Sequence, residues 1–396
     1  MPRRILKWPL LILFWGVLIV LTLEGGLRLL APSLPGQIGV AARLVMTGSE
    51  YDREWTPAWV QNQDHYYALR PGLENVLQYA SPGVSLHLTT IELWEGGGIG
   101  FRNRPVDYFV DAVVVGDSFT FCFTEREDCW VSVLERETGM GLVNLGQPAT
   151  GSRSHRLILE GFGAPLTPPL VIWQFFGNDF NDDYGLATWR GDIEPVESGD
   201  LSPIFAATRD PDAPLVEWLR SNSVAYAALE VALTGGRGGL TEADNLFEER
   251  YRAEYRDGVL AFGQSYEPVA LDMDREANRI GLELSRGAFV EAQALVAGWD
   301  GQLVVVIIPT REEVYEHLTA AQMGADLGRL QSARLAMLDL CEGLALTCFD
   351  PLPGLQARAV LGEHLYYTDD MHLNPHGNAV VAELLADWLD SQGLLP

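Results

Sequence analysis

Five short apolar runs, DAVVVGD, GLVNLG, LVIWQFFGND, GQLVVVIIPT and LALTCFD, constrain this chain more than any other feature of it. Each is rich in β-branched residues, and stretches of helical character separate one from the next. A strand without a polar face must be covered on both sides, and strands that alternate with helices run parallel. Residues from about 109 to 396 are therefore expected to form one α/β domain on a parallel sheet. More than 120 residues lie between GND at 177–179 and the strand at 303, too many for one crossover. The segment from about 181 to 300 thus reads as an insertion, with helices near 213–233 and 273–298.

The N-terminus has a different texture. Trp8 to Leu23 is an uncharged run of 16 residues, preceded by Arg3, Arg4 and Lys7 and followed by Glu24. Basic residues stay on the cytoplasmic side, so the run predicts a transmembrane anchor over 8–30, with 1–7 in the cytoplasm and the rest outside. The competing reading is a cleaved signal peptide, but the nearest small-residue site, Ala31-Pro32-Ser33, is distant and contains proline. Residues 31–108 are rich in Pro, Gly and Asn, with runs such as VSLHLTTIELW, and read as an extended, β-rich lead-in. The 47% hydrophobic and 10% aromatic content excludes general disorder. A net charge of −27, with Lys7 the only lysine, argues against binding nucleic acid through its phosphates.

Small polar clusters end the strands. In VVVGDSFTF, Ser118 falls just past a strand where a helix should begin, at the sheet edge where open α/β folds bind ligands. The G-x-S-x-G elbow of lipases is absent, since Thr120 holds its last position. In NLGQPATG, Gly146 directly follows a strand, where its N–H can face a carbonyl oxygen; in FFGND, Asn178 holds the equivalent place. Near the C-terminus, YTDDMHLNPHG sets Asp369 and His372 three residues apart, so that one loop can present an imidazole and the carboxylate that orients it. Asp370 and His376 beside them read as solvent-facing or helix-starting residues.

GDS, the glycine after the second strand, GND and the terminal DxxH together resemble the four sequence blocks of the SGNH hydrolases, or GDSL-type esterases, over about 109–180 and 300–396. YYALRPG and GGGIGFRNRP resemble the segment that precedes GDS in membrane-anchored bacterial members. The resemblance implies a flavodoxin-like five-stranded parallel sheet, with Ser118 as nucleophile, His372 as general base and Asp369 as its orienter. It implies an oxyanion hole made by the Ser118 N–H, the Gly146 N–H and the Asn178 amide. No metal or other cofactor is expected, because scattered acids such as LDMDRE lack His or Cys partners.

The reading that follows is a membrane-tethered, extracytoplasmic serine esterase acting on an acyl ester, such as acetyl, of an envelope glycan or lipid. An acyltransferase using the same acyl-serine is the first alternative, and a catalytically silent glycan-binding or assembly protein the second. Tyr184, Trp189, Trp218, Tyr226, Tyr251, Tyr255 and Tyr266 in the insertion are candidates for either a sugar platform or core. Export permits disulfides, and the spacing favours local pairing of Cys122 with Cys129 and Cys341 with Cys348, with buried free thiols as the alternative.

Overall fold

The computed structural model describes residues 7–34, 36–47, 58–62, 64–81, 84–196, 214–234, 249–256, 258–264, 266–368 and 370–395. The chain forms two compact units, Met1–Pro57 with Ala207–Ala243, and Ala58–Ala206 with Asp244–Pro396. It begins with α1 (Lys7–Leu30) and, after one short turn, α2 (Gly36–Thr47). Phe14–Ser33 is the one described segment long and apolar enough to cross a bilayer. Within the lead-in over 31–108, read from the sequence as β-rich, α2 is a helical departure at Gly36–Thr47. Its Ile38, Ala41, Ala42 and Val45 recur at helical spacing and form one apolar stripe, a pattern that Pro and Gly on either side obscure. Beyond it two antiparallel hairpins follow, β1 (Trp59–Asn62) with β2 (Tyr66–Leu69) and β3 (Val76–Ser81) with β4 (Val84–Leu88).

The second unit is built on the five apolar runs. In chain order its first part holds β5 (Ala112–Val115), α3 (Ser118–Phe121), α4 (Trp130–Thr138), β6 (Leu142–Asn144), α5 (Ser152–Ile158), β7 (Leu170–Phe175) and α6 (Asp179–Arg190). The chain then gives α7 (Pro214–Asn222) and α8 (Val224–Thr234) to the first unit. It returns through the hairpin β8 (Glu249–Tyr255) and β9 (Gly258–Gln264), and through α9 (Glu267–Leu271) and α10 (Glu276–Ala297). The last part runs β10 (Gln302–Ile307), α11 (Arg311–Val314), α12 (Glu316–Met323), α13 (Ala325–Leu344), β11 (Thr347–Phe349), α14 (Leu352–Val360) and α15 (Pro375–Ser391).

The strand order is β11-β10-β7-β5-β6, all parallel, which is the flavodoxin-like order with its reversal beside β5. Register is set along the centre, where Val113 lies opposite Val143 on one side and Val171 on the other. Every residue of β5, β6 and β7 is buried, as a sheet covered on both faces requires. The helices α4 and α15 pack together, as do α5, α6 and α10. Disulfides join Cys122 to Cys129 and Cys341 to Cys348, each closing a local loop.

Candidate active site

Strand β5 ends at Val115, and the chain turns at Gly116 into α3. A Cβ at Gly116 would meet Thr120 Oγ1 at 2.2 Å and Gln174 Oε1 at 2.4 Å, so glycine is required for strand and helix to approach this closely. Asp117 caps the helix, its Oδ1 accepting from the Phe119 N–H at 2.8 Å. Burial pushes the Asp117 carboxyl up to about 6, against the Phe119 hydrogen bond and the nearby His372. Gln174 on β7 ties the turn down by accepting from the Asp117 N–H and the Thr120 hydroxyl. Ser118 is thereby presented half-buried at the carboxyl edge of the sheet.

His372 reaches it from the loop before α15. Its Nε2 lies 2.8 Å from Ser118 Oγ, and its Nδ1 lies 2.6 Å from Asp370 Oδ1, which also accepts from the His372 backbone N–H at 2.8 Å. The ring is held between Phe119, with centroids 5.0 Å apart, and Phe123, at 4.6 Å. The carboxylate behind the imidazole is thus Asp370, where the sequence pattern pointed to Asp369; Asp369 itself lies outside the described residues. Asp370 is 9% exposed and not solvent-facing, because the loop folds back so that a residue two positions before the histidine accepts from both its ring and its backbone. His376 is on the surface in the first turn of α15, 2.7 Å from Glu363.

Two buried arginines frame this pair of loops, and neither was singled out from the sequence. Arg102 donates to the carbonyls of Phe121, Cys122 and Thr124, just past the Ser118 helix. Burial lowers its guanidinium to about 10, which still leaves it a cation at neutral pH. Arg311, which opens α11, donates to the carbonyls of Tyr367, Thr368 and Asp370. The sequence marks neither: Arg102 stands between Phe101 and Asn103 in GFRNRP, and Arg311 between Thr310 and Glu312 in IIPTREEV, just after a strand.

The oxyanion candidates fare differently. Gly146 donates its N–H to Asn144 Oδ1 at 2.8 Å, and a Cβ on it would meet Phe121 N at 2.4 Å. The glycine thus packs closely against α3, and its N–H, read from the sequence as an oxyanion donor, is bonded to Asn144 in this structure. Farther along that loop, half-buried Ala149 takes φ 57°, a conformation that strains any residue but glycine. Asn178 is buried just past β7, at the start of α6, and its Nδ2 donates to Asp182 Oδ2 at 2.9 Å. The hydroxyl of Tyr266, from the insertion, bonds to the same Asn178 side chain, and burial holds that phenol well above its usual range. No acceptor among the described residues takes the Ser118 N–H.

Beneath the site Asp179, Asp182 and Asp183 are all buried on the first turns of α6. Burial, reinforced by the other aspartates, drives Asp179 well above the carboxylate range, while burial lowers His155 to about 3. The two groups approach to 3.6 Å, and burial opposes the charged form of each. Among the described residues no group of three His, Cys, Asp or Glu side chains is arranged to hold a metal ion. Of the insertion's aromatic residues, Tyr184, Tyr255 and Tyr266 are core, whereas Trp218 is exposed.

Residues 272–395 match the family model described as ALGX, an SGNH hydrolase-like domain, acetyltransferase AlgX. That match contains the His372 loop, and Ser118 lies outside it. Among solved structures the chain is similar to LAE5, an alpha/beta hydrolase enzyme from the metagenome of Lake Arreo, Spain, at 13% identity and TM-score 0.38, covering 72% of this chain and 95% of that one. It is also similar to the acetyl xylan esterase AlAXEase, at 12% identity and TM-score 0.36, covering 70% and 99%. A carbohydrate acetylesterase family member from Sinorhizobium meliloti matches at 12% identity and TM-score 0.32, covering 72% and 99%. These likenesses are distant, and the fold rests on the sheet and the family match. No curated protein matches the chain in sequence.

Proposed function

We propose, from the match of residues 272–395 to an SGNH hydrolase-like domain, that this chain is a membrane-tethered, extracytoplasmic enzyme that cleaves an acyl ester of an envelope glycan or lipid through an acyl-serine. The observation that carries the reading is the chain of hydrogen bonds from Asp370 through His372 to Ser118. A serine hydroxyl is a weak nucleophile until a base takes its proton, and an imidazole 2.8 Å away is in place to do so. Oγ attacks the ester carbonyl, Nε2 takes the hydroxyl proton, and Asp370 at Nδ1 steadies the imidazolium. The Ser118 N–H is the donor assigned to the oxyanion, with the Asn178 side-chain amide beside it as the second on exchange of one of its present partners. The imidazolium returns its proton to the departing alcohol, and a second nucleophile then releases the acyl group.

If that nucleophile is water, the enzyme is an esterase; if it is a sugar hydroxyl, it is an acyltransferase. The acetyltransferase named in the matching family model favours the second reading as the alternative. Membrane tethering is supported by the apolar helix with Arg3, Arg4 and Lys7 before it. The test uses the full chain in detergent, a serine-directed phosphonate, and aryl acetate turnover with and without oligosaccharide acceptors. Ser118→Ala is expected to abolish labelling and lower turnover by about 10⁴-fold or more. Unchanged turnover in Ser118→Ala sinks the reading, and acetylated oligosaccharide in place of free acetate identifies the transferase.

A further inference from the structure

The insertion does more than decorate the hydrolase unit, because its middle leaves that unit to join the N-terminal helices. Glu24 of α1 caps α8 across roughly half the chain, its carboxylate accepting from the Ser223 hydroxyl at 2.8 Å, the Val224 N–H at 3.1 Å and the Ala225 N–H at 2.9 Å. Arg28, paired with Glu24, donates to the Asn222 carbonyl at 2.6 Å. One face of α8, made of Val224, Ala227 and Val231, packs against Ala41, Ala42 and Val45 of α2. Its opposite face is also apolar and has no cover among the described residues: Leu229 is 54% exposed and Leu233 76%. On α7, Leu215 and Trp218 are exposed as well, one helical turn apart. The only charge along α8 is Glu230, which is half-buried.

A helix that is apolar on both faces belongs in a core or in lipid, and one left open to water would invite aggregation. What selects lipid is the point of attachment. Glu24 is the first charge after the uncharged run of α1, so the residues that grip α8 stand where the anchor leaves the hydrocarbon. An exposed tryptophan beside that level suits the headgroup region, where an indole keeps its ring in lipid and its N–H in contact with water.

We propose that α7 and α8 form an interfacial hairpin that lays Leu215, Trp218, Leu229 and Leu233 into the outer leaflet beside the anchor. The proposal rests on the reading that α1 spans the membrane. The partner is the bilayer surface, and the hairpin gives the insertion a second hold on it besides α1.

The test is the full chain in liposomes, labelled with an environment-sensitive maleimide at Leu229→Cys or Leu233→Cys without reductant, since all four native cysteines are in disulfides. Val17→Cys reports on the anchor, and Leu335→Cys, on an exposed residue of the hydrolase unit, reports on water. At 229 and 233 the expected result is blue-shifted emission, lost when spin-labelled lipids are included and resistant to aqueous iodide, with the reverse at 335. Iodide quenching at 229 and 233 while position 17 remains lipid-quenched overturns the hairpin and leaves the anchor standing. Protection from both quenchers means that protein covers the face, and also overturns it. Iodide quenching at 17 as well overturns the anchor and the hairpin together.

Discussion

The loop that carries Ser118 and the loop that carries Asp370 and His372 each take three carbonyl bonds from a buried arginine, but they are built differently. Ser118 sits between a fully buried strand and a capped helix, and the bonds that hold its turn come from residues close in sequence or from Gln174 on the adjoining strand. The chain past it is further tied by the Cys122–Cys129 disulfide and by the Asn144 side chain, whose Nδ2 donates to the Thr120 carbonyl at 2.7 Å. The histidine loop is irregular between the Tyr366–Leu373 bridge and the Asn374 cap of α15. Its shape depends on Arg311, which arrives from the end of β10, more than fifty residues earlier. The Ser118 turn is thus held mainly by nearby residues, and the His372 loop by bonds of longer range.

The sharpest way to break this comparison is at the carboxylate. Asp370→Asn keeps the volume but cannot stabilise the imidazolium, so turnover is expected to fall by about 10³–10⁴-fold, as in serine protease triads. Asp369→Asn should stay close to wild type in the same ester kinetics; the opposite ranking would return the orienting role to Asp369.

The arginines come next. Arg311→Met removes the one nitrogen, Nη1, that donates to all three carbonyls, and a displaced imidazole should cost about 10²-fold in kcat, since a misplacement near 1 Å has that effect. Arg102→Met acts on a loop with other ties, so its loss should appear as about 1–3 kcal/mol of stability in denaturant unfolding, with kcat little changed. Equal kcat losses in the two variants would show that the arms are held alike.

The smallest effect concerns the cap on the nucleophile arm. Asp117 has a folded-state pKa of about 6, raised from 3.8 by burial, so between those values the folded protein keeps a proton that the unfolded chain has released. Its contribution to stability therefore declines as pH rises from about 4 to about 6 and stays low above that. Asp117→Asn preserves the cap and removes this titration, so its melting temperature should fall less than wild type's between pH 4 and pH 7. Parallel curves for the two proteins would show that Asp117 does not titrate in this window.

Local patterns were enough to read much of this molecule. β-Branched runs with no polar face can only be covered strands, a glycine and an aspartate before Ser118 can only serve a tight strand-to-helix turn, and an uncharged run after basic residues suits a membrane. These features depend on neighbours within a few residues, which is why the sheet was legible and Ser118 and His372 stood out as candidates. The α2 helix was less so, because the prolines and glycines around it suggested extended chain.

Tertiary structure alone decided the rest. Asp369 and Asp370 are adjacent and chemically identical, and the contact of Asp370 with the imidazole comes from the path of a loop whose carbonyls Arg311 holds. The sequence likewise does not show that Asn144 and α3 lie against Gly146. The return of α8 to Glu24 spans about 200 residues and has no sequence signature, because a carboxylate that caps a distant helix looks the same in sequence as one that faces water.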